Sequence, residues 1–259
     1  MTSTWLITGA TSGFGRLVAE RALAGGAHVL AVARRAELLP TGPNATPIAL
    51  DLTTPDAEQT LAAAIATAGG LDVLVNNAGY GMFGAIEQTG PAEAKAMFDT
   101  NVLANLAVLR AALPALRASG GRIVQLSSFI GQFAIMASGL YSASKAAVEL
   151  ISEALAQEVA PFGVRVTIVQ PGEFATEFGS SAHIVMPDEV YAPNVGAFLT
   201  EHAQLPPSAF GDPADVADAI IAVLGMARPP LRLAVGADAV AGIRASLEAR
   251  LAELDKTYT

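Results

Sequence analysis

Tyr141 and Lys145 stand four residues apart in YSASK, at the head of a stretch where Val148, Ile151, Leu155 and Val159 recur every three or four positions. That spacing predicts a helix projecting both side chains from one face in successive turns. A free phenol, with a pKa of about 10, is a poor acid–base group near neutrality. An ammonium about 4 Å away, at an effective dielectric of about 20, favours the phenolate by roughly 4 kcal/mol, or about three pK units before screening. The pair reads as an acid–base tyrosine tuned by a lysine. The same spacing also occurs on helices that do no chemistry, so the reading depends on what converges there. The chain has no cysteine, which removes thiol nucleophiles, thiolate metal sites and disulfides; no metal is implied.

A second constellation is Thr8-Gly9-Ala10-Thr11-Ser12-Gly13-Phe14-Gly15, which follows a short apolar run and opens helical periodicity from Phe14 through Ala24. Glycines let the backbone turn tightly against a pyrophosphate, and the free N–H groups at a helix start favour the anion. Three residues separate Gly9 from Gly13 and one separates Gly13 from Gly15, a wider turn than G-x-G-x-x-G. The second apolar run ends in Val32-Ala33-Arg34-Arg35, where a site for NAD places an acid on the ribose hydroxyl. Two guanidiniums suit the 2′-phosphate of NADP(H) instead, with NAD(H) the lesser choice. A solvated basic pair at a strand end is the alternative.

Elements that must position these groups follow from periodicity. Short β-branched runs at Trp5 to Thr8, His28 to Ala33, Ile48 to Leu50, Val73 to Asn76, Arg122 to Ser127, Arg165 to Gln170 and Leu231 to Val235 alternate with helical stretches. They predict an α/β fold: a Rossmann-like, doubly wound, seven-stranded parallel sheet with helices on both faces. With no linker or repeat, residues 1–259 read as one domain. Glu173 to Pro213, with Pro187, Pro193, Pro206, Pro207 and Pro213, reads as an irregular insertion: a lid or binding loop, or else a mobile surface loop. The last helix, with Ile243, Leu247, Leu251 and Leu254, is expected to pack on its own domain.

Composition limits the partners. Fifteen Lys+Arg against 24 Asp+Glu, a net charge of −9, argue against nucleic acid. The 52% hydrophobic content raises the question of a membrane protein. The longest uncharged run, between Arg122 and Lys145, is long enough to span a bilayer but carries Gln125, Ser127, Ser128, Gln132, Ser138, Ser142 and Ser144, so no membrane span is expected. A sheet buried on both faces accounts for the apolar content. The N-terminus carries no signal-peptide pattern, and a cytoplasmic location is the expectation.

TGATSGFG at 8–15, NNAG at 76–79, Asn101, Ser128, YSASK at 141–145 and PGEFAT at 171–176, with the serine thirteen residues before the tyrosine, together resemble a short-chain dehydrogenase/reductase of the classical type. The resemblance runs from Thr4 to about Thr176. It implies Tyr141 as general acid–base for a carbonyl or alcohol oxygen, Ser128 as hydrogen-bond partner of that oxygen, Lys145 on the nicotinamide ribose and Asn101 positioning a water. Neighbouring strand residues face opposite ways, so only one of Ser127 and Ser128 can aim at the substrate, and the spacing favours Ser128. The implied cofactor-binding set is Gly9, Thr11, Ser12, Gly13, Phe14, Gly15, Arg34, Arg35, Asp51, Leu52, Asn77, Ala78, Gly79, Tyr141, Lys145, Pro171, Gly172, Phe174 and Thr176. Within it Asp51 lies at the adenine, Asn77 to Gly79 at the adenosine, and Pro171, Gly172 and Thr176 at the carboxamide. The resemblance also implies transfer of the pro-S hydride and a homodimer or homotetramer.

Tyr80, Met82, Phe129, Phe133, Met136, Phe174 and Phe178 are pocket candidates, apolar enough to take a small hydrophobic ketone, aldehyde or secondary alcohol. Two alternatives stay open: an NAD-dependent, steroid- or retinol-like alcohol oxidation, and a non-catalytic NADP-sensing regulator.

Overall fold

The computed structural model describes residues 2–256. In chain order the first half contains β1 (Thr4–Thr8), α1 (Gly13–Ala24), β2 (His28–Ala33), β3 (Ala45–Ala49), α2 (Ala57–Thr67), β4 (Val73–Asn76), β5 (Met82–Phe83), α3 (Pro91–Phe98) and α4 (Ala104–Ser119). The second half contains β6 (Arg122–Leu126), α5 (Gly139–Val159), β7 (Arg165–Pro171), α6 (Glu177–Ser181), β8 (His183–Ile184), α7 (Ala197–Ala203), α8 (Pro213–Leu224), β9 (Arg232–Val235) and α9 (Ala237–Leu254). Seven strands form one parallel sheet in the order β3-β2-β1-β4-β6-β7-β9. The chain winds outward in both directions from β1 and β4, and such a reversal opens a crevice at the strands' carboxyl ends.

Alternation along each strand sends side chains to two cores. Leu6, Leu30, Leu74 and Ile123 meet Leu61, Val108, Leu116 and Leu155 from α2, α4 and α5. Ile7, Val29, Val75, Val124 and Val169 meet Val18, Val216 and Ile220 from α1 and α8 on the other face. Each fully buried Leu, Ile or Val contributes about 1.5–3 kcal/mol relative to exposure, which is why the strands read as near-continuous apolar runs.

Four expectations are corrected. The third strand is Ala45–Ala49, not Ile48 to Leu50. It is an edge strand, where Pro47 is tolerated and little side-chain burial is required, so its start carries no apolar signal. Residues 173–213 are not irregular throughout, since they hold α6, β8, α7 and a parallel pairing of β5 with β8. Among the described residues, the helix long and apolar enough to cross a membrane is Pro91–Ser119, with a mean hydropathy of 1.3, not the run from 122 to 145. Its Val108, Leu109, Ala112 and Leu116 are buried within the protein. Finally, α9 packs on its own domain through its first turns, where Ala239 is buried and Gly242 lies against Phe133, but leaves Leu247, Leu251 and Leu254 exposed. Periodicity reveals an apolar face but not whether something covers it.

Candidate active site

The turn after β1 starts where Gly9 and Ala10 donate to the carbonyl of Val32 at 2.9 and 3.3 Å. Thr8 Oγ1 accepts the N–H groups of Asn77 (2.9 Å) and Ala78 (3.0 Å), and Asn77 Nδ2 donates to Thr8 O (2.9 Å) and Gly9 O (3.3 Å). The NNAG segment is thereby stapled to the glycine turn. Thr8 is a further residue of this arrangement, outside the expected binding set: a hydroxyl at a strand end is a ready acceptor for loop N–H groups. A Cβ on Gly15 would stand 2.4 Å from the carbonyl oxygen of Gly9, so only glycine lets α1 begin directly beneath the turn. Ser12 makes no side-chain cap to α1, and no acid lies in its first turn. The positive end of α1 thus keeps its N–H groups for an anion.

One cleft of about 1810 Å³ gathers the expected residues. Gly9, Thr11, Ser12, Gly13, Phe14, Arg34, Arg35, Asp51, Leu52, Asn77, Ala78, Gly79, Ser128, Tyr141, Lys145, Pro171, Gly172, Phe174 and Thr176 line it; Gly15 and Asn101 do not. Gly15 lies under the turn. Asn101, in a π turn between α3 and α4, donates from Nδ2 to Tyr80 O (2.9 Å) and Ser144 Oγ (3.1 Å) and accepts the Tyr80 N–H (3.0 Å) at Oδ1. Both amide protons are engaged, so what Asn101 has left for a water is carbonyl oxygen.

Arg34 and Arg35 are exposed at the end of β2. Asp51 Oδ1 accepts from the Thr53 hydroxyl (2.7 Å) and N–H (2.9 Å). Those bonds, with a smaller contribution from Arg34, hold its carboxyl below the usual carboxylate range.

Tyr141, Ser128 and Lys145 converge on the cleft floor. Ser128 and Tyr141 both line the cleft, and the Ser128 hydroxyl favours the ionised form of the phenol. Ser127 also lines the cleft, and its Oγ lies 2.7 Å from where a Cβ on Gly131 would stand; both serines lie just past β6. The Tyr141 ring packs against Phe83 and Phe178, centroids 5.7 and 5.4 Å away. Burial pushes the phenol well above its ordinary value, outweighing the downward pull of Ser128. The expected net lowering by Lys145 is therefore corrected: Lys145 Nζ sits 5.9 Å from the ring centroid and donates to Leu126 O at 2.8 Å. Spacing placed the two groups together; the depth of burial sets the sign.

Burial also draws the Lys145 ammonium down to about 8, against an opposing pull from Glu149. The unfolded chain therefore holds this proton to higher pH than the folded one. Stability contributed by Lys145 should rise from about pH 8 toward pH 10.5, by about 2 to 3 kcal/mol over the window. Urea unfolding of Lys145→Met should lack that rise. Parallel stability curves for the two proteins would show that Lys145 carries no depressed pKa.

Of the pocket candidates, Tyr80, Phe129, Phe174 and Phe178 line the cleft. Met82 is buried in the cluster around Tyr141, Phe133 packs edge-on to Phe129 (5.6 Å), and Met136 is exposed. Phe83, Ile130 and Ile135 line it instead, with Met186, Phe198 and Leu199 from the segment above. That segment is held down by His183 Nε2 on Glu93 Oε1 (2.9 Å), His202 Nε2 on Glu173 Oε1 (3.0 Å) and the Tyr191 hydroxyl on Glu87. Asp238, at the start of α9, accepts the Glu173 N–H at 2.7 Å and anchors the PGEF segment from outside.

Residues 3–184 match a family model described as short chain dehydrogenase. An oxidoreductase from Botryotinia fuckeliana, BOA17, is 38% identical over 251 residues, covering 93% of this chain and 91% of its own. A short-chain dehydrogenase from Streptomyces avermitilis superposes with a TM-score of 0.90 at 42% identity, covering 98% of this chain and 95% of its own. Another, from Burkholderia cenocepacia and solved in complex with NADP, has a TM-score of 0.78 at 28% identity and covers 100% of this chain and 98% of its own.

Proposed function

The chain belongs to the short-chain dehydrogenase family, and from that premise we propose that it is an NADP(H)-dependent reductase of hydrophobic ketones or aldehydes, running in reverse on secondary alcohols. The observation that carries this is the Ser128–Tyr141 hydroxyl pair on the floor of a cleft with aromatic walls at one end and exposed Arg34 and Arg35 at the other. NADP bound to the Burkholderia cenocepacia relative supports the cofactor.

The residues present fit a dinucleotide. The glycine turn and the uncapped start of α1 would hold a pyrophosphate, Asp51 would contact the adenine ribose side, and Arg34 and Arg35 would hold a 2′-phosphate. The nicotinamide, when bound, supplies or accepts the hydride. Tyr141 delivers the proton to the carbonyl oxygen, and Ser128 donates to the same oxygen and holds it in line. A phenol raised by burial is protonated throughout the neutral range, which suits an acid in the reductive direction. The Lys145 ammonium, beside Tyr141 on the cleft floor, stabilises negative charge developing on the tyrosine oxygen and would hold a ribose hydroxyl. The intact Ser128, Tyr141 and Lys145 set argues against a non-catalytic cofactor sensor. Exposed Leu103 and Leu150 support a homodimer or homotetramer as the working form.

The test is purified protein with NADPH or NADH and a panel of apolar, sugar and phosphorylated carbonyls. Oxidation of NADPH by the apolar members, weak with the others, is expected. No turnover of any carbonyl or alcohol by protein that binds NADPH would overturn the proposal.

A further inference from the structure

Glu149 lies one turn beyond Lys145 on α5 and is buried. Its carboxylate is fully engaged by groups from three other parts of the chain. Gln170 Nε2 at the end of β7 donates to Oε1 at 2.9 Å. Gln132 Nε2, just past the turn that begins at Ser128, donates to Oε2 at 2.8 Å, and Arg232 Nε on β9 donates to the same oxygen at 3.0 Å. Arg232 also pairs with Glu153, one further turn along α5. A buried carboxylate is costly unless such partners satisfy it, and it is demanding of their geometry once they do.

Three of the four segments it joins carry or adjoin the candidate site residues. Helix α5 bears Tyr141 and Lys145. The turn from Phe129 to Gly131 follows Ser128 and is pressed against α5: a Cβ on Gly131 would meet Ser127 Oγ at 2.7 Å and Glu149 Cγ at 3.3 Å. Strand β7 runs from Gln170 into Pro171 and Gly172 at the cofactor end of the cleft, and β9 closes the sheet beside it. We propose that Glu149 is a positioning residue for the reaction: through Gln132, Gln170 and Arg232 it locks the Ser128 turn and the β7 end to the helix that carries Tyr141 and Lys145. This rests on the reductase reading of the site.

Its charge has a second effect. The groups facing Lys145 are Tyr141 and Glu149 on its own helix, the Leu126 carbonyl on β6, and Asn101 near Gly79. Those facing Glu149 are Arg232, Glu153, Gln132 and Gln170. Glu149 favours the Lys145 ammonium, so neutralising it lowers the fraction of Lys145 protonated at a given pH.

The test compares Glu149→Gln, Gln132→Leu and the double variant with wild type in steady-state NADPH oxidation across pH. Misplacing reacting groups by about 1 Å costs on the order of a hundredfold. Each single variant should lose roughly ten- to a hundredfold in kcat with little change in NADPH affinity by fluorescence titration. The losses should combine less than additively in the double variant, because both act on one hydrogen-bond network. Glu149→Gln, and not Gln132→Leu, should move the alkaline fall in kcat to lower pH. A merely structural role would lower the urea midpoint without moving that fall. Gln132→Leu leaves the Glu149–Arg232 pair in place and keeps the test valid if Glu149→Gln does not fold. An active wild type with both folded variants at wild-type kcat and unshifted pH dependence overturns the positioning role, as does wild-type kcat in Gln132→Leu when it alone folds. An inactive wild type that binds NADPH overturns the reductase reading itself.

Discussion

Tyr141→Phe is expected to lose about 10²- to 10⁴-fold in kcat for carbonyl reduction, the range a positioned general acid contributes, while binding NADPH as tightly as wild type. The substitution leaves the ring in its packing with Phe83 and Phe178 and removes only the hydroxyl. Lys145 keeps its bond to the Leu126 carbonyl, so the cofactor side of the site should not change. Ser128 lines the open cleft, where water can take the place of the lost hydroxyl, so the substitution should not unfold the protein. Steady-state NADPH oxidation and fluorescence titration of the same preparation separate the two effects. A variant retaining more than about a tenth of wild-type kcat would remove Tyr141 from its role as the acid.

Replacing Arg34 and Arg35 together by Ala should invert cofactor preference. Hydrogen bonds to charged groups are worth about 1.5–3 kcal/mol each. Losing both arginines should therefore lower kcat/KM for NADPH by roughly a hundredfold or more, leaving NADH nearly unaffected. Both side chains are exposed, so the fold should not suffer. Asp51 keeps its carboxylate through Thr53, which preserves the adenine end. Equal losses with both cofactors would mean that the arginines read something other than the 2′-phosphate.

Much of the site was legible because its signals are local. The glycine turn, NNAG, YSASK and PGEFAT each lie within a few residues, and the alternation of strand and helix periods places each at a strand end or helix start. What was illegible depends on partners far apart in the chain. Glu149 reads as one more polar residue of an amphipathic helix, and its partners lie 17, 21 and 83 residues away. Phe83 and Met82 are neighbours of similar character, yet Phe83 lines the cleft and Met82 is core. A two-residue strand paired with His183–Ile184 decides between them. The third strand is hard to read from sequence for the same reason, because at a sheet edge pairing rather than burial defines the element.

The sequence by itself thus determined the seven-stranded parallel sheet and the glycine turn that opens α1, and it put Ser128, Tyr141 and Lys145 at element ends that line one cleft, since these follow from backbone period and residue type. Tertiary structure alone decided how these groups behave. A buried phenol resists ionisation although a lysine stands one turn away, because loss of solvation at that depth exceeds what its neighbours return. Desolvation is a property of what packs around a residue from the rest of the chain.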